Sequence, residues 1–384
     1  MLLLIITTIY FILILTFIFG LFFPNKRTTT KKFKVSVVVA ARNEEKNIGN
    51  ILGDLVNQTY SRDLYEVIIV NDGSEDTTSE IIERYVSQHP FIKHLKAKAD
   101  NKNGLIAKKN ALNQGIQSSS GELILTADAD CRVKSTWIET MTSYFTDDVG
   151  MVVGFSQLGN PKKQYSVFEQ LQAVDFLSLM GAAQGSLNLG CPLAASGQNL
   201  AYRRTTFDEV NGYQKIKNRI SGDDVLLLQL VHKLTNWKIR FAPSAKSFNW
   251  TQPERTVKSF LNQRKRWASN GSVQLRLNVT FFIFLSIMFL ANTILFIGSP
   301  LYFIIYKSIR VPFFCLAAKF LIEFMIMYKG SKIYLRTDLI KYFPLWAVLQ
   351  MPYIVFTGIL GTLGYFKWKD RSHFQELTTF RTDQ

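Results

Sequence analysis

Apolar residues are gathered at the two ends of the chain and interleaved with polar ones in the middle. Residues 1–23, MLLLIITTIYFILILTFIFGLFF, carry no charge. That is long enough to cross a bilayer, which takes about 20 apolar residues. A cleaved signal peptide would show a basic start, a shorter apolar core and a small-residue cleavage site, and none is present, so the segment reads as a retained anchor. Three more apolar blocks lie at 279–306, 311–328 and 343–366. The first is interrupted by Asn292 and by Gly298-Ser299-Pro300. The second holds Lys319 and Glu323, spaced i, i+4, where they can pair on one helix face. The third contains Pro352.

Between Lys34 and about Trp250 the pattern changes to short buried strands alternating with helices. Val35–Ala40, Val67–Val70 and Glu122–Ala127 are apolar, β-branched-rich runs, as expected of strands covered on both faces. Glu44–Val56, Thr77–Val86 and Gly104–Gln117 read as helices. The alternation predicts an α/β domain with a mainly parallel sheet and helices on both faces. Tyr165–Leu189 is semi-apolar and reads either as an interfacial helix or as a buried one.

Charge adds orientation. The chain has 384 residues and a formal charge of +16, which suits nucleic acid, anionic lipid or a polyphosphate partner. Many of the cations flank the apolar blocks, which argues against a nucleic-acid-reading surface. Lys26, Arg27, Lys31, Lys32 and Lys34 follow the first block without an acid among them, which puts that side and the domain after it in the cytoplasm. Four spans from an outside N-terminus leave the C-terminus outside. Lys367, Lys369 and Arg371 after the last block favour inside, so one block is interfacial or re-entrant, or the tail is external. The three cysteines, Cys131, Cys191 and Cys315, form no close pair, so a disulfide-rich scaffold is excluded.

In open α/β sheets ligands bind beyond the carboxyl ends of the strands, so the residues there are informative. They are Ala41-Arg42-Asn43-Glu44, Asn71-Asp72-Gly73-Ser74 and Asp128-Ala129-Asp130. Asn, Asp and Ser also serve as ordinary turn and cap residues. Two carboxylates two positions apart, however, repel unless a cation lies between them. Mg²⁺ typically takes one or two carboxylates plus substrate phosphates, so a metal-bound diphosphate with nearby Lys or Arg is the natural partner.

These motifs, together with Lys108-Lys109-Asn110-Ala111-Leu112-Asn113, Ser196-Gly197-Gln198-Asn199-Leu200-Ala201-Tyr202-Arg203-Arg204, Gly222-Asp223-Asp224 and Gln263-Arg264-Lys265-Arg266-Trp267, resemble the glycosyltransferase family 2 catalytic domain. The resemblance covers about residues 34–270. Its last element is similar to the Gln-x-x-Arg-Trp box of membrane-embedded members: cellulose, chitin, hyaluronan and poly-N-acetylglucosamine synthases and ceramide glucosyltransferases. The resemblance implies a GT-A nucleotide-diphospho-sugar transferase domain carrying N- and C-terminal transmembrane helices. It implies donor contacts at Ala41, Asn43, Glu44, Asp72, Lys108 and Asp128, a Mg²⁺ or Mn²⁺ ligand at Asp130, and a general base at Asp224. It places acceptor and diphosphate contacts at Gln263, Arg266 and Trp267. Two motifs depart from the usual pattern. Asn71-Asp72-Gly73-Ser74 stands for Asp-Asp-Gly-Ser, and Asp223-Asp224 for Glu-Asp, with Asp224 matching the second acid.

The chemistry of those residue types agrees. Inverting transfer needs a base near the acceptor hydroxyl and positive charge at the departing diphosphate. Asp224 also stands where it can cap an apolar helix from Val225. Gln263, Arg266 and Trp267, at i, i+3 and i+4, share a helix face that offers a planar fork for phosphate and a flat apolar surface for a sugar. Arg255, Lys258, Arg264, Lys265 and Arg276 nearby fit a membrane-surface helix as well.

The expected organisation is an anchor at 1–23, a basic linker at 24–34, a catalytic domain at 35–250 and an interfacial amphipathic segment at 251–278. A membrane region at 279–366 and a basic tail at 367–384 follow. The expected activity is that of a multi-pass enzyme of the cytoplasmic (inner) membrane. It would transfer sugar from a nucleoside-diphosphate sugar, a UDP-sugar by preference, to a lipid or lipid-linked acceptor among the membrane lipids. The alternative is a processive synthase extending a glycan, with an accessory membrane subunit or a homo-oligomer supplying further helices. A non-catalytic membrane scaffold would give no reason for acids to gather at strand ends.

Overall fold

A computed structural model describes residues 1–24, 27–98 and 104–363, and the backbone of 365–368 and 371–374. Lys26, Lys369 and the tail from 375 lie outside the described residues. The chain divides into two compact units. One comprises Pro24–Asn160 and Pro192–Gln252, and the other Met1–Phe23, Pro161–Cys191 and Pro253–Gln384.

The first unit is built on seven strands: β1 (Val35–Ala41), β2 (Tyr65–Asn71), β3 (Ile92–Lys96), β4 (Leu123–Thr126), β5 (Val149–Gly154), β7 (Leu200–Arg203) and β8 (Lys238–Ala242). They lie in the order β3-β2-β1-β4-β7-β5-β8. The pairs β3–β2, β2–β1 and β1–β4 are parallel, β7 runs antiparallel to both its neighbours, and β5–β8 is parallel again. A small parallel pair, β6 (Ser156–Leu158) with β9 (Asn249–Thr251), stands apart from the main sheet.

The period of two sends side chains to both faces. Val35, Val37, Val39, Val67 and Ile69 pack into one core with Ile48, Ile51, Leu52 and Leu55 of α2 (Ile48–Val56), Ile82 of α3 (Thr78–Gln88) and Trp137 of α5 (Trp137–Ser143). On the other face α4 (Ala107–Gln117) comes so close that a Cβ at Gly115 would meet Val38 and Val70. The helix expected from Glu44 begins only at Ile48, because residues 44–47 form turns and the amides of Glu44 and Glu45 bond across to the start of α3 and the turn before it. Glu44 N–H donates to Thr78 Oγ1 at 2.8 Å and Glu45 N–H to Asp76 Oδ2 at 3.1 Å. The unit is completed by α7 (Arg204–Glu209) and α8 (Val225–Leu234).

The second unit is helical: α1 (Leu2–Gly20), α6 (Val167–Asn188), α9 (Val257–Ala268), α10 (Gln274–Leu277), α11 (Val279–Thr293), α12 (Ser299–Tyr306), α13 (Arg310–Ile333) and α14 (Phe343–Thr362). A two-stranded hairpin, β10 (Tyr365–Trp368) with β11 (Arg371–Phe374), also belongs to it. Among the described residues, four stretches are long and apolar enough to cross a membrane: Leu2–Gly20, Val279–Tyr306, Arg310–Ile333 and Thr337–Thr362. Gly298-Ser299-Pro300 does not break the second of them. The helix passes through a π-helical stretch, Ile294–Gly298, and Pro300 falls in the first turn of α12, where its missing N–H costs least.

α6 opens with a capping box, in which Ser166 and Glu169 satisfy each other's backbone amides, and most of its length is buried. It meets α1 at glycines. A Cβ on Gly185 would strike the Phe17 carbonyl, and one on Gly20 the Gly185 carbonyl. Lys319 and Glu323 do pair, at 2.8 Å, and Glu323 also accepts from Tyr10 Oη at 2.6 Å and from the Gln350 amide.

Candidate active site

β2, β1 and β4 are adjacent and parallel, so their carboxyl ends open onto one edge of the sheet. The turns after β1 and β2 lock together there. Asp72 N–H donates to the Ala41 carbonyl at 2.8 Å, and Arg42 Nη1 to the Asp72 carbonyl at 3.3 Å. Asn43, at φ 52°, donates its N–H to Ser74 Oγ at 3.0 Å and accepts the Glu75 N–H at 2.9 Å. Asn71 Oδ1 caps the second turn by accepting Ser74 N–H at 2.9 Å, and Gly73 takes φ 69°, a region glycine enters without strain. Ala41, Asn43, Glu44 and Asp72 therefore form one loop pair.

After β4, residues 128–131 make a tight turn closed by Cys131 N–H on the Asp128 carbonyl at 3.0 Å. Asp130 Oδ2 accepts from Thr251 Oγ1 at 3.0 Å. Cys131 is buried behind the turn, and burial, with the two nearby acids, pushes its thiol well up. It therefore stays a protonated filler.

The centre of the site is Lys108, in the first turn of α4. Its Nζ lies 2.7 Å from Asp128 Oδ1 and 2.8 Å from Asp223 Oδ2, so one ammonium bridges two acids from different loops. Burial works against that charge. The two carboxylates outweigh it and hold the ammonium well above its ordinary value. Lys109, one residue on, is fully buried and donates to the Arg219 carbonyl, tying α4 to the loop that leads to the acids. Burial brings its ammonium down to about 7, against the pull of Asp223.

That loop turns at Gly222, at φ 92°, into Asp223 and Asp224. Asp224 does cap α8: Oδ1 accepts Val225 N–H at 2.6 Å, and Oδ2 accepts Gly197 N–H at 2.8 Å. A Cβ on Gly197 would lie 3.2 Å from Asp223 Oδ2 and 3.4 Å from Asp224 Oδ2, so this strand-to-loop segment closes directly over the acidic pair. The two acids are driven apart. Burial raises both, but Lys108 pulls Asp223 below the usual range, while the Asp223 charge pushes Asp224 above it. Among the described residues no Lys or Arg forms an ion pair with Asp224. A half-buried carboxylate of raised basicity, oriented by two amides, has the character of a general base.

Among the described residues no group of three or more His, Cys, Asp and Glu converges as a preformed metal cage. The acids that do gather are hard oxygen donors, and Asp128 and Asp223 already share a cation. This donor set fits a Mg²⁺- or Mn²⁺-like ion held by Asp130 and completed by ligand oxygens, and does not fit a zinc-type site.

Gln263, Arg266 and Trp267 lie in the helical unit, on α9, all half-buried. α9 starts at a capping box made by Thr256 and Ser259. The Gln263 amide is fixed at both ends: Nε2 donates to Glu254 Oε1 at 3.2 Å and Oε1 accepts from Arg264 Nη1 at 3.0 Å. Trp267 lies against Phe176, with ring centroids 6.0 Å apart, and under the Arg264 guanidinium at 4.2 Å. Sequence reasoning gave no role to Asp223 beyond its motif, to Lys109, to Thr251 or to a contact of Arg264. The partners of Asp223, Lys109 and Thr251 are distant in sequence, and only their place in the quoted motifs marked Asp223, Lys109 and Arg264.

A mixed sheet with helices on both faces and acids at the carboxyl ends of β1, β2 and β4 defines a GT-A, nucleotide-diphospho-sugar transferase fold. Two protein-family models match the chain: glycosyl transferase family 2 over residues 36–208, and glycosyl transferase family group 2 over residues 123–366. The chain belongs to glycosyl transferase family group 2. The probable glycosyltransferase YdaM of Bacillus subtilis (strain 168) is 31% identical over 264 residues, which are 67% of this chain and 60% of that one. Poly-beta-1,6-N-acetyl-D-glucosamine synthase of Staphylococcus epidermidis is 27% identical over 240 residues, 62% of this chain and 54% of that one. The chain thus matches little more than half the length of these relatives. Among solved structures, the mannosyltransferase PcManGT from Pyrobaculum calidifontis, in complex with GDP-Man and Mn2+, has the same fold. Its TM-score is 0.60 at 16% identity, covering 94% of this chain and 98% of that one.

Proposed function

We propose that the protein is a membrane-anchored inverting glycosyltransferase that moves one sugar from a nucleoside-diphosphate sugar, a UDP-sugar by preference, to a lipid or lipid-linked acceptor. The observation that carries the proposal is the Lys108–Asp128–Asp223 bridge beside an Asp224 with which, among the described residues, no Lys or Arg forms an ion pair. It offers an ammonium that a diphosphate can draw from the two acids, and a separate base, in one place.

In this reading the loop pair of Ala41, Asn43, Glu44 and Asp72 takes the nucleoside, and Asp128 the ribose or sugar. Lys108 balances diphosphate charge in exchange for the carboxylates it now holds. Asp224 takes the proton from the acceptor hydroxyl as that oxygen attacks the anomeric carbon, and its two amide contacts keep the carboxylate aimed while it does so. Asp130 would hold a divalent cation, which supplies electrostatic stabilisation of the leaving diphosphate. PcManGT, solved with GDP-Man and Mn2+, supports a nucleotide sugar and such an ion. Gln263, Arg266 and Trp267 serve the acceptor and diphosphate.

The cations at Arg27, Lys31, Lys32 and Lys34, following the apolar helix Leu2–Gly20, support a cytoplasmic side for the sheet unit. A second reading, a processive synthase lengthening a glycan, is favoured by the poly-beta-1,6-N-acetyl-D-glucosamine synthase relatives. Product analysis separates the two. With radiolabelled UDP-sugar and total membrane lipid, single transfer gives label that extracts into organic solvent as one lipid species. A polymer of high mass that resists extraction would overturn single transfer in favour of the synthase.

A further inference from the structure

We propose that Asp175 is a positioning residue for the Gln263–Trp267 face of α9, acting through Arg264. The inference rests on the reading that this face serves the acceptor and diphosphate.

Asp175 projects from α6 and gathers groups from two other helices. Arg264 Nη2 of α9 lies 2.8 Å from its Oδ2. Trp346 Nε1 of α14 donates to its Oδ1 at 3.3 Å, and the Tyr353 hydroxyl of α14 donates to the same oxygen. Arg264 and Asp175 keep only 6% and 12% of their side-chain surface exposed. The guanidinium then does what no lysine geometry reproduces. It donates to Gln263 Oε1 at 3.0 Å and covers the rings of Trp267 at 4.2 Å and Phe260 at 4.7 Å. One cation, held from behind by one carboxylate, thus sets the amide of Gln263 and the ring of Trp267 together. Phe176, the next residue on α6, closes on Trp267 from the same helix.

A buried ion pair is weak evidence for stability, since an apolar replacement is often as stable. What this pair does that an apolar pair would not is orient two functional side chains. A second polar cluster in the same unit serves as the comparison. Glu323, with Lys319, Tyr10 and Gln350, joins α13, α1 and α14, and its hydrogen bonds do not reach α9.

The test uses the full chain in nanodiscs with 5-fluorotryptophan incorporated, the ¹⁹F lines of Trp267 and Trp346 being assigned by Trp267→Phe and Trp346→Phe. Three variants are compared: Asp175→Asn, which keeps acceptor atoms for Trp346 and Tyr353; Arg264→Lys, which keeps the charge and loses the fork; and Glu323→Gln. The expected result is a shifted or broadened Trp267 line in the first two. In both, the half-saturating amount of total membrane lipid should rise between about 10-fold and about 100-fold, with UDP affinity changed by less than about 2-fold. Glu323→Gln should lower thermal stability and leave the Trp267 line in place. A Trp267 line and lipid dependence at wild-type values in Arg264→Lys would mean that charge alone matters and would overturn positioning, as would an unmoved line in Asp175→Asn. If Asp175→Asn does not fold, Arg264→Lys decides by the same criteria. If wild type consumes no nucleotide sugar, the proposed function fails, and the ¹⁹F lines still decide whether Asp175 positions α9.

Discussion

Replacing Lys108 by methionine removes the ammonium that bridges Asp128 and Asp223 while keeping most of the length of the side chain. At 2.7 and 2.8 Å, with an effective dielectric of about 20, each pair attracts by about 6 kcal/mol before desolvation is charged against it. The side chains are 20% (Lys108), 29% (Asp128) and 12% (Asp223) exposed. The loss therefore falls below the about 3–5 kcal/mol typical of breaking a fully buried pair, and about 2 kcal/mol is expected. For a unit of this size that lowers the unfolding midpoint by about 4–8 °C.

The sign with pH follows from the two shifts. Lys108 is raised, so its contribution is complete below its ordinary value of about 10.4 and is lost only as pH climbs through the folded value. Asp223 is lowered, so its contribution is present above about pH 3.9 and fades as pH falls through the folded value. The deficit of Lys108→Met is therefore full at neutral pH. It shrinks in acid, as Asp223 takes up a proton and the charge that Lys108 faces there is lost. Thermal unfolding in detergent, followed by tryptophan fluorescence at about pH 7 and about pH 3, measures this. A deficit that is the same at both values would show that Lys108 acts by packing and would refute the electrostatic account of the site.

Glu66 offers a second pH-linked change. Burial works against its charge, but Lys93, the Ser120 amide and hydroxyl and the Ser36 hydroxyl hold it down at about 2. Glu66→Gln should cost about 1–2 kcal/mol at neutral pH, and the gap from wild type should narrow as pH falls from about 4.3 toward 2, read by urea unfolding of the sheet unit's fluorescence. At the α1–α6 crossing, Gly185→Leu drives a side chain into the Phe17 carbonyl. It should abolish the monodisperse peak on size-exclusion chromatography in detergent, whereas an unchanged peak would show that the helices separate easily. Chelation by EDTA should stop donor turnover, and Mn²⁺ should restore it; turnover that persists in EDTA would remove Asp130 from any metal role.

What could be read from the chain ahead of its structure depended on burial. β1, β2 and β4 are covered on both faces, so their runs of Val, Ile and Leu are unbroken and easily seen. β3, Ile92-Lys93-His94-Leu95-Lys96, is an edge strand with only Ile92 fully buried, and its polar positions hide it. β7 has four residues and runs antiparallel inside an otherwise parallel region, a reversal that no local pattern announces. The strand-end acids were legible because their place after a buried strand is a local signal. The Lys108–Asp223 bridge, the Lys109 bond to the Arg219 carbonyl and the Asp175–Arg264 pair were not, because each joins segments far apart in sequence. Asp224 shows that two readings of one residue need not compete. It is the cap of α8 through the Val225 amide, and burial with the Asp223 charge, against the pull of the Val225 and Gly197 amides, leaves it a carboxylate of raised basicity in the site.

The central claim is that Asp224 is the base of a nucleotide-sugar transferase. It is tested most directly by nucleoside-diphosphate release from purified protein in nanodiscs, wild type beside Asp224→Asn. UDP-glucose, UDP-galactose, UDP-N-acetylglucosamine and GDP-mannose would each be supplied with Mn²⁺ or Mg²⁺ and total membrane lipid. The account predicts release from one donor class by wild type, and a fall of at least about 100-fold in Asp224→Asn with donor affinity retained. Equal release by the two proteins, or none from any donor with either metal, would contradict it.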